Sequence, residues 1–238
     1  CAPNFTGAAC GTCATGFEGA NCDISGCDAA HDCTTAGIKK VYANMSDGNG
    51  YAFAALTYNG AVVTWGQSEY GGDSSTVAAD LQSGVADVFA TDSVFAALKS
   101  DGSVVTWGMV DGVSVNAGLD AGVVNIFPGP SAFVALKDNG GLAYWGANTG
   151  HWNQVSNELQ SGVKKVFPNG TGNFAALKAD GSVITWGYSD TGGDSAGADL
   201  SADVVGVFPG YKSFAALKSD GSVVAWGDPD LGGDASSV

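Results

Sequence analysis

The chain has 238 residues, 37 of them glycine, about twice the ordinary share of roughly 7%. Its nine basic residues are all lysine and its 24 acids bring the net charge to −15, which excludes the arginine-bearing basic face of a nucleic-acid binder. Hydrophobic residues reach 45%, too many for a disordered chain, yet no apolar run approaches the ~18 residues that cross a bilayer, so membrane insertion is not expected.

The first element is a cysteine-rich head. All six cysteines lie within the first 33 residues, spaced Cys1-x8-Cys10-x2-Cys13-x8-Cys22-x4-Cys27-x5-Cys33. A segment this short cannot bury a core, so disulfides are expected to hold residues 1–34 as a separate module. Many pairings are open to six cysteines; the duplicated x8 spacing favours Cys1–Cys10 and Cys13–Cys22, leaving Cys27–Cys33. A Cys-x2-Cys metal knuckle using His31 is the weaker reading, because a second ligand pair is missing. The run Cys13-Ala-Thr-Gly16-Phe17-Glu18-Gly19-Ala20-Asn21-Cys22 resembles the C-terminal half of an EGF-like, laminin-type module. Disulfides imply an oxidising compartment. Three Asn-x-Ser/Thr sequons, at Asn4, Asn44 and Asn169, agree with a secreted glycoprotein. The chain starts at Cys1 without a signal peptide and reads as a processed or truncated piece of a longer product.

Residues 38–238 repeat one motif five times. The clearest copies are FAALKSDGSVVTWG at 95–108, FAALKADGSVITWG at 174–187 and FAALKSDGSVVAWG at 214–227. Trp65, Trp107, Trp145, Trp186 and Trp226 follow one another at intervals of 42, 38, 41 and 40 residues, a period that signals a propeller or solenoid. Scarce Glu and Gln, absent Arg and plentiful Val, Thr and aromatics point to an all-β chain. Each unit reads as a short apolar strand, such as 85–89, then a second strand, an Asp-Gly or Asn-Gly hairpin whose residues both tolerate positive φ, and a returning third strand. In the third strand Val104 and Thr106 face one side, Val105 and Trp107 the other. The polar stretch after the tryptophan predicts a helical turn or loop, capped by Ser75 and bearing Leu81, with analogues Leu119, Leu159 and Leu200.

The pattern aromatic-x-Ala-Leu-x-x-Asp-Gly-x-Val-x-x-Trp-Gly, followed by Gly-Gly-Asp, resembles the RCC1/BNR-like β-propeller repeat. The resemblance covers all five units, which are shorter than that family's repeats; in the first, fourth and fifth, Gly-Gly-Asp stands in place of its Gly-Gln-Leu-Gly. It implies a compact ring of five blades in which the two termini complete one blade together. A β-solenoid or an open array is the structural alternative.

Three sets of residues are candidate sites. Asp73, Asp194 and Asp234 recur with the nearby acids Glu69, Asp190 and Asp230 and could ligate calcium, the one cofactor considered, although turn-stabilising aspartate is the stronger reading. The repeated tryptophans could form a sugar-stacking ladder, but a large residue at one strand position in every unit reads as core. Trp152, beside His151, departs from the repeat where GANTGHWN replaces Gly-Gly-Asp, and is a candidate ligand contact. No Ser-His-Asp or Cys-His set is recognisable, so a non-catalytic protein is expected. An EGF-like head joined to a repeat propeller is similar to extracellular matrix and appendage proteins of unicellular algae, including flagellar hairs. That likeness implies extracellular scaffolding or adhesion, with other extracellular proteins or copies of the chain as partners. A carbohydrate-binding lectin is the alternative, and a secreted glycoside hydrolase a weaker third.

Overall fold

A computed structural model describes residues 37–46, 49–109, 119–146, 149–195 and 197–236. The head, with its six cysteines, His31 and Asn4, lies outside the described residues. So do the disulfide pairing and the EGF-like reading.

The described chain is all-β apart from short helical turns. It forms five three-stranded antiparallel sheets, each from one repeat, with strands in sequence order. The first sheet is β1 (Ile38–Ser46), β2 (Asn49–Thr57) and β3 (Val62–Gly66). The second is β4 (Val85–Ala90), β5 (Val94–Lys99) and β6 (Val104–Gly108). The third is β7 (Val123–Pro128), β8 (Ala132–Lys137) and β9 (Leu142–Gly146). The fourth is β10 (Val163–Pro168), β11 (Phe174–Lys178) and β12 (Val183–Trp186). The fifth is β13 (Val204–Pro209), β14 (Ser213–Lys218) and β15 (Val223–Gly227). Among the described residues each unit contains all three strands of its own sheet, so the expected completion of one sheet by the two ends of the repeat region is not seen.

Two local devices recur in every sheet. The first is a register shift between the opening strand and the central one, at Val85/Asp87 and at the corresponding place in the other four. A bulge of this kind adds a residue and sharpens the twist. It also lets Val85 and Val88, three apart, both be buried, where a regular strand would turn them to opposite faces. The second is the hairpin. The Lys99 amide donates to Ser103 O at 2.8 Å and the Gly102 amide to Lys99 O at 3.0 Å. Gly102 alone takes a positive φ, of 81°, and Asp101 does not. The connection is thus a type I turn closed by a glycine bulge, rather than a turn left-handed at both residues. Asp101 Oδ1 fixes it by accepting from the Ser103 hydroxyl at 2.7 Å and amide at 2.9 Å, as Asp180 and Asp220 do from Ser182 and Ser222.

Successive sheets pack face to face. The core is four apolar clusters, each built from one sheet's trailing face and the next sheet's leading face. Between the first two sheets, Ala52, Ala54, Leu56 and Leu81 meet Val85, Val88, Phe95, Ala97 and Trp107. The facing expected for the third strand holds: Trp107 packs toward the first sheet, and Val104 toward the third. Each large side chain so buried contributes roughly 1.5–3 kcal/mol. Hydrogen bonds mark the same junctions. The hairpin carbonyls of Gly60, Gly102, Gly140 and Gly181 accept from the amides of Val85, Val123, Val163 and Val204 at 2.9, 3.0, 2.9 and 3.0 Å.

The polar stretch of the first unit is a 3-10 turn, Ser75–Val77, as expected in kind, though Ser74 and not Ser75 occupies the capping position. Leu81, Leu119, Leu159 and Leu200 are all buried. The carbonyls of Leu81, Leu119 and Leu200 accept from Val62, Val104 and Val183 at 2.8–2.9 Å, so each segment lies along its own third strand.

Among the described residues no core cluster joins the fifth sheet to the first, so the junction that would close the expected five-bladed ring is not seen there. Ile38, Val41 and Trp65 of the first sheet are 50%, 53% and 44% exposed, whereas Val85, Val88 and Trp107 at the same places are at most 4% exposed.

Candidate functional site

A Trp-Gly pair starts the loop end of each unit, and a Gly-Gly pair completes it in the first, fourth and fifth. The glycine after each tryptophan takes a φ between 105° and 127°, which L side chains rarely adopt. The following Gly-Gly folds back onto it: a Cβ on Gly72, Gly193 or Gly233 would run into the backbone of Gly66, Gly187 or Gly227. The first glycine of the pair then meets the next sheet. Gly71 lies against the Phe95 ring and its carbonyl accepts from Trp107 Nε1 at 3.1 Å; Gly192 does the same for Phe214 and Trp226. Each repeated tryptophan is also stacked on the phenylalanine opposite it, at 5.0–5.4 Å between ring centres. Four of the five are buried, so the ladder is core and not a sugar platform.

The candidate calcium aspartates serve these turns. Asp73 Oδ1 accepts from the Ser75 amide and Asp234 Oδ1 from the Ser236 amide, both at 2.8 Å. Those amide bonds, with the serine hydroxyls second, hold both carboxyls below the usual range. Asp194 occupies the same place in the fourth unit. Among the described residues no group of three or more His, Cys, Asp or Glu could hold a metal. Asp73 and Asp234 thus stand in the turn role that was the stronger of the two readings.

Trp152 corrects the ligand-contact reading. It sits on the helix α1 (Thr149–Val155) and is only 6% exposed, wedged between the third and fourth sheets. Its ring stacks on Tyr144 at 5.5 Å and meets Trp186 edge-on at 5.6 Å. The third unit lacks Gly-Gly, and Trp152 fills the gap where that pair would cover Trp186. Trp186 Nε1 accordingly has no acceptor among the described residues. His151 sets its ring against Tyr188, and its Nδ1 is buried without a described partner. Trp152 therefore presents no face to a ligand, while His151 is partly exposed. The missed signal was the spacing of Trp152, Val155 and Leu159, three and four apart, which is that of one buried helical stripe.

Two of the sequons are corrected as well. Asn44 is fully buried; its amide donates to Tyr70 O and its Oδ1 accepts from Ala52 N–H at 2.9 Å. Asn169 is 4% exposed; Nδ2 donates to Thr191 O at 2.8 Å, and Oδ1 accepts from the Thr171 and Asn173 amides at 3.0 Å. Both occupy the same position at the end of the opening strand, tying it to the loop after the third strand. A sugar on either nitrogen would prevent this closure.

Two surface cavities stand out among the described residues. One, of about 420 Å³, is lined by Glu158, Lys178, Ser182, Asp199 and Ser201. Its cations are engaged: Lys178 Nζ donates to Glu158 O at 2.9 Å. The other, of about 380 Å³, lies where Ala43, Thr91, Gly129 and Asn169 end the opening strands of four sheets. In the first, Ser201 Oγ donates to Asp199 Oδ1 at 2.8 Å, the same i to i+2 turn contact that Ser182 and Ser222 make to Asp180 and Asp220.

Neither known family profiles nor curated proteins match this sequence. Solved structures do. Human WBSCR16 shares 18% identity at a TM-score of 0.48, covering 74% of this chain and 59% of that one. The CRINKLY WD40 ectodomain of the Arabidopsis thaliana receptor kinase ACR4 shares 16% at 0.43, covering 74% and 62%. Yeast RCC1 (Prp20), solved with Kap60, shares 18% at 0.46, covering 75% and 54%. The chain thus spans less than two thirds of each of these structures.

Proposed function

We propose that the chain is a non-catalytic module of a secreted glycoprotein, with Asn4 the one sequon left to carry the sugar, serving extracellular scaffolding or adhesion. One observation carries this reading: the polar side chains that looked like a site are spent on turns and junctions, repeated from unit to unit. Asp73, Asp101, Asn44 and Asn169 each close a local backbone bond. A chain organised this way offers faces and edges in place of a reaction centre. The lectin alternative loses its best residue with Trp152 buried.

Secretion rests on the cysteine head. Alkylation of the unreduced protein followed by intact-mass measurement is expected to label no cysteine; labelled thiols would contradict an oxidising compartment. The scaffold role is tested by cross-linking mass spectrometry on the native extracellular assembly. Links from this chain's surface lysines to neighbouring chains are expected. A chain without neighbours that binds sugars on a glycan array would establish the lectin instead.

A further inference from the structure

We infer that the two end sheets of the array are mutual docking faces, and that the occupant of each is a second copy of this chain, stacked head to tail. The four internal junctions specify what such a face must contain, and each requirement is met once more by the two ends together.

The leading face of the first sheet carries Ile38, Val41, Phe53 and Trp65, aligned with Val85, Val88, Phe95 and Trp107 of the second. The latter four are at most 4% exposed, whereas Ile38, Val41 and Trp65 are about half exposed. The trailing face of the fifth sheet carries Phe208, Ala215, Leu217 and Val223, aligned with Phe89, Ala96, Leu98 and Val104. Phe208 is 59% and Val223 41% exposed, while Ala96 is fully buried by the third sheet.

The polar parts of the junction are left over in matching pairs. Gly60, Gly102, Gly140 and Gly181 each approach the backbone of the next unit within 2.8–3.0 Å of a built Cβ, whereas nothing lies within 4 Å of Gly221. Its carbonyl corresponds to those that bind Val85, Val123, Val163 and Val204, and the amide it would bind is Ile38 N–H. Gly232 holds the place of Gly71 and Gly192, whose carbonyls accept from Trp107 and Trp226; its counterpart is Trp65 Nε1. Gly71 and Gly192 touch a phenylalanine ring of the next sheet, but Gly232 touches none. A copy placed by the step that relates one sheet to the next would supply all these contacts. The contact is heterologous, so it propagates into an open string or closes as a ring of copies. It deepens the scaffold reading by naming the partner.

Sedimentation velocity of the full chain over a concentration series tests it. The sedimentation coefficient is expected to rise with concentration. Trp65→Asp and Val223→Asp each charge one exposed face, and each variant alone is expected to sediment as a monomer, with an unchanged circular dichroism spectrum. An equimolar mixture is expected to form a dimer and nothing larger, since each variant keeps the face the other has lost. A wild-type chain that stays monomeric throughout overturns the inference, as does a mixture that stays monomeric or a Val223→Asp chain that still self-associates. The scaffold reading would survive those results, because its cross-linking test reads neighbours of any kind.

Discussion

Asn173 is fully buried and completes the loop of the fourth unit. Its Oδ1 accepts from the Tyr188 amide at 2.6 Å, and its Nδ2 lies 2.7 Å from Thr191 O and 3.0 Å from Thr171 Oγ1. Asn173→Ala strands these groups away from water, at a cost of about 1–3 kcal/mol. A lower urea midpoint at unchanged slope is the expected result. Asp203 is the one non-glycine residue with positive φ among those described, at 64°, where the other units have Gly84, Gly122 and Gly162. Asp203→Gly removes that strain and is expected to raise stability by about 1 kcal/mol, read from the same denaturation curves. Asp199 is held by the Lys218 ammonium first and the Ser201 hydroxyl second, which bring its carboxyl from 3.8 down to about 2. A depressed carboxylate stabilises the fold above its unfolded pKa and loses that contribution as pH falls through the folded one. The contribution is therefore complete above pH 3.8 and fades toward about pH 2. Asp199→Asn is expected to flatten the stability profile across that window in acid titrations.

At the scale of elements, the third strand and the hairpin were legible because both are local. Alternation places Trp107 and Val104 on opposite faces, and Asp-Gly fixes the turn even though its geometry differed in detail. The opening strand was harder. Its buried valines, Val85 and Val88, are spaced three apart, which obeys neither a strand nor a helix until the bulge is known. The sequons at Asn44 and Asn169 misled for a related reason: a side chain that closes a buried loop has the same letters as one that carries a sugar. The leucine segments give a direct check. Leu159 is fully buried in the cluster between the third and fourth sheets. Leu159→Ala is expected to cost about 2–5 kcal/mol, seen as a lowered thermal midpoint with the sheet spectrum retained.

For the whole molecule, the sequence could not tell an open array from a ring. Every unit carries the same apolar faces whether or not a neighbour covers them, so Trp65 and Trp107 look identical as letters and differ only in exposure, 44% against 2%. In a repeat array stability is a sum of unit and junction terms. The first and fifth sheets each lack one described junction, so they are expected to open at lower free energy than the third. Amide hydrogen exchange on the dilute, monomeric chain reads this residue by residue. The account predicts slow exchange at Val85, Val123, Val163 and Val204, whose amides bind the preceding hairpin, and fast exchange at Ile38. An Ile38 amide as protected as those four in the monomer would mean that the fifth sheet closes on the first within one chain, and would contradict the open array.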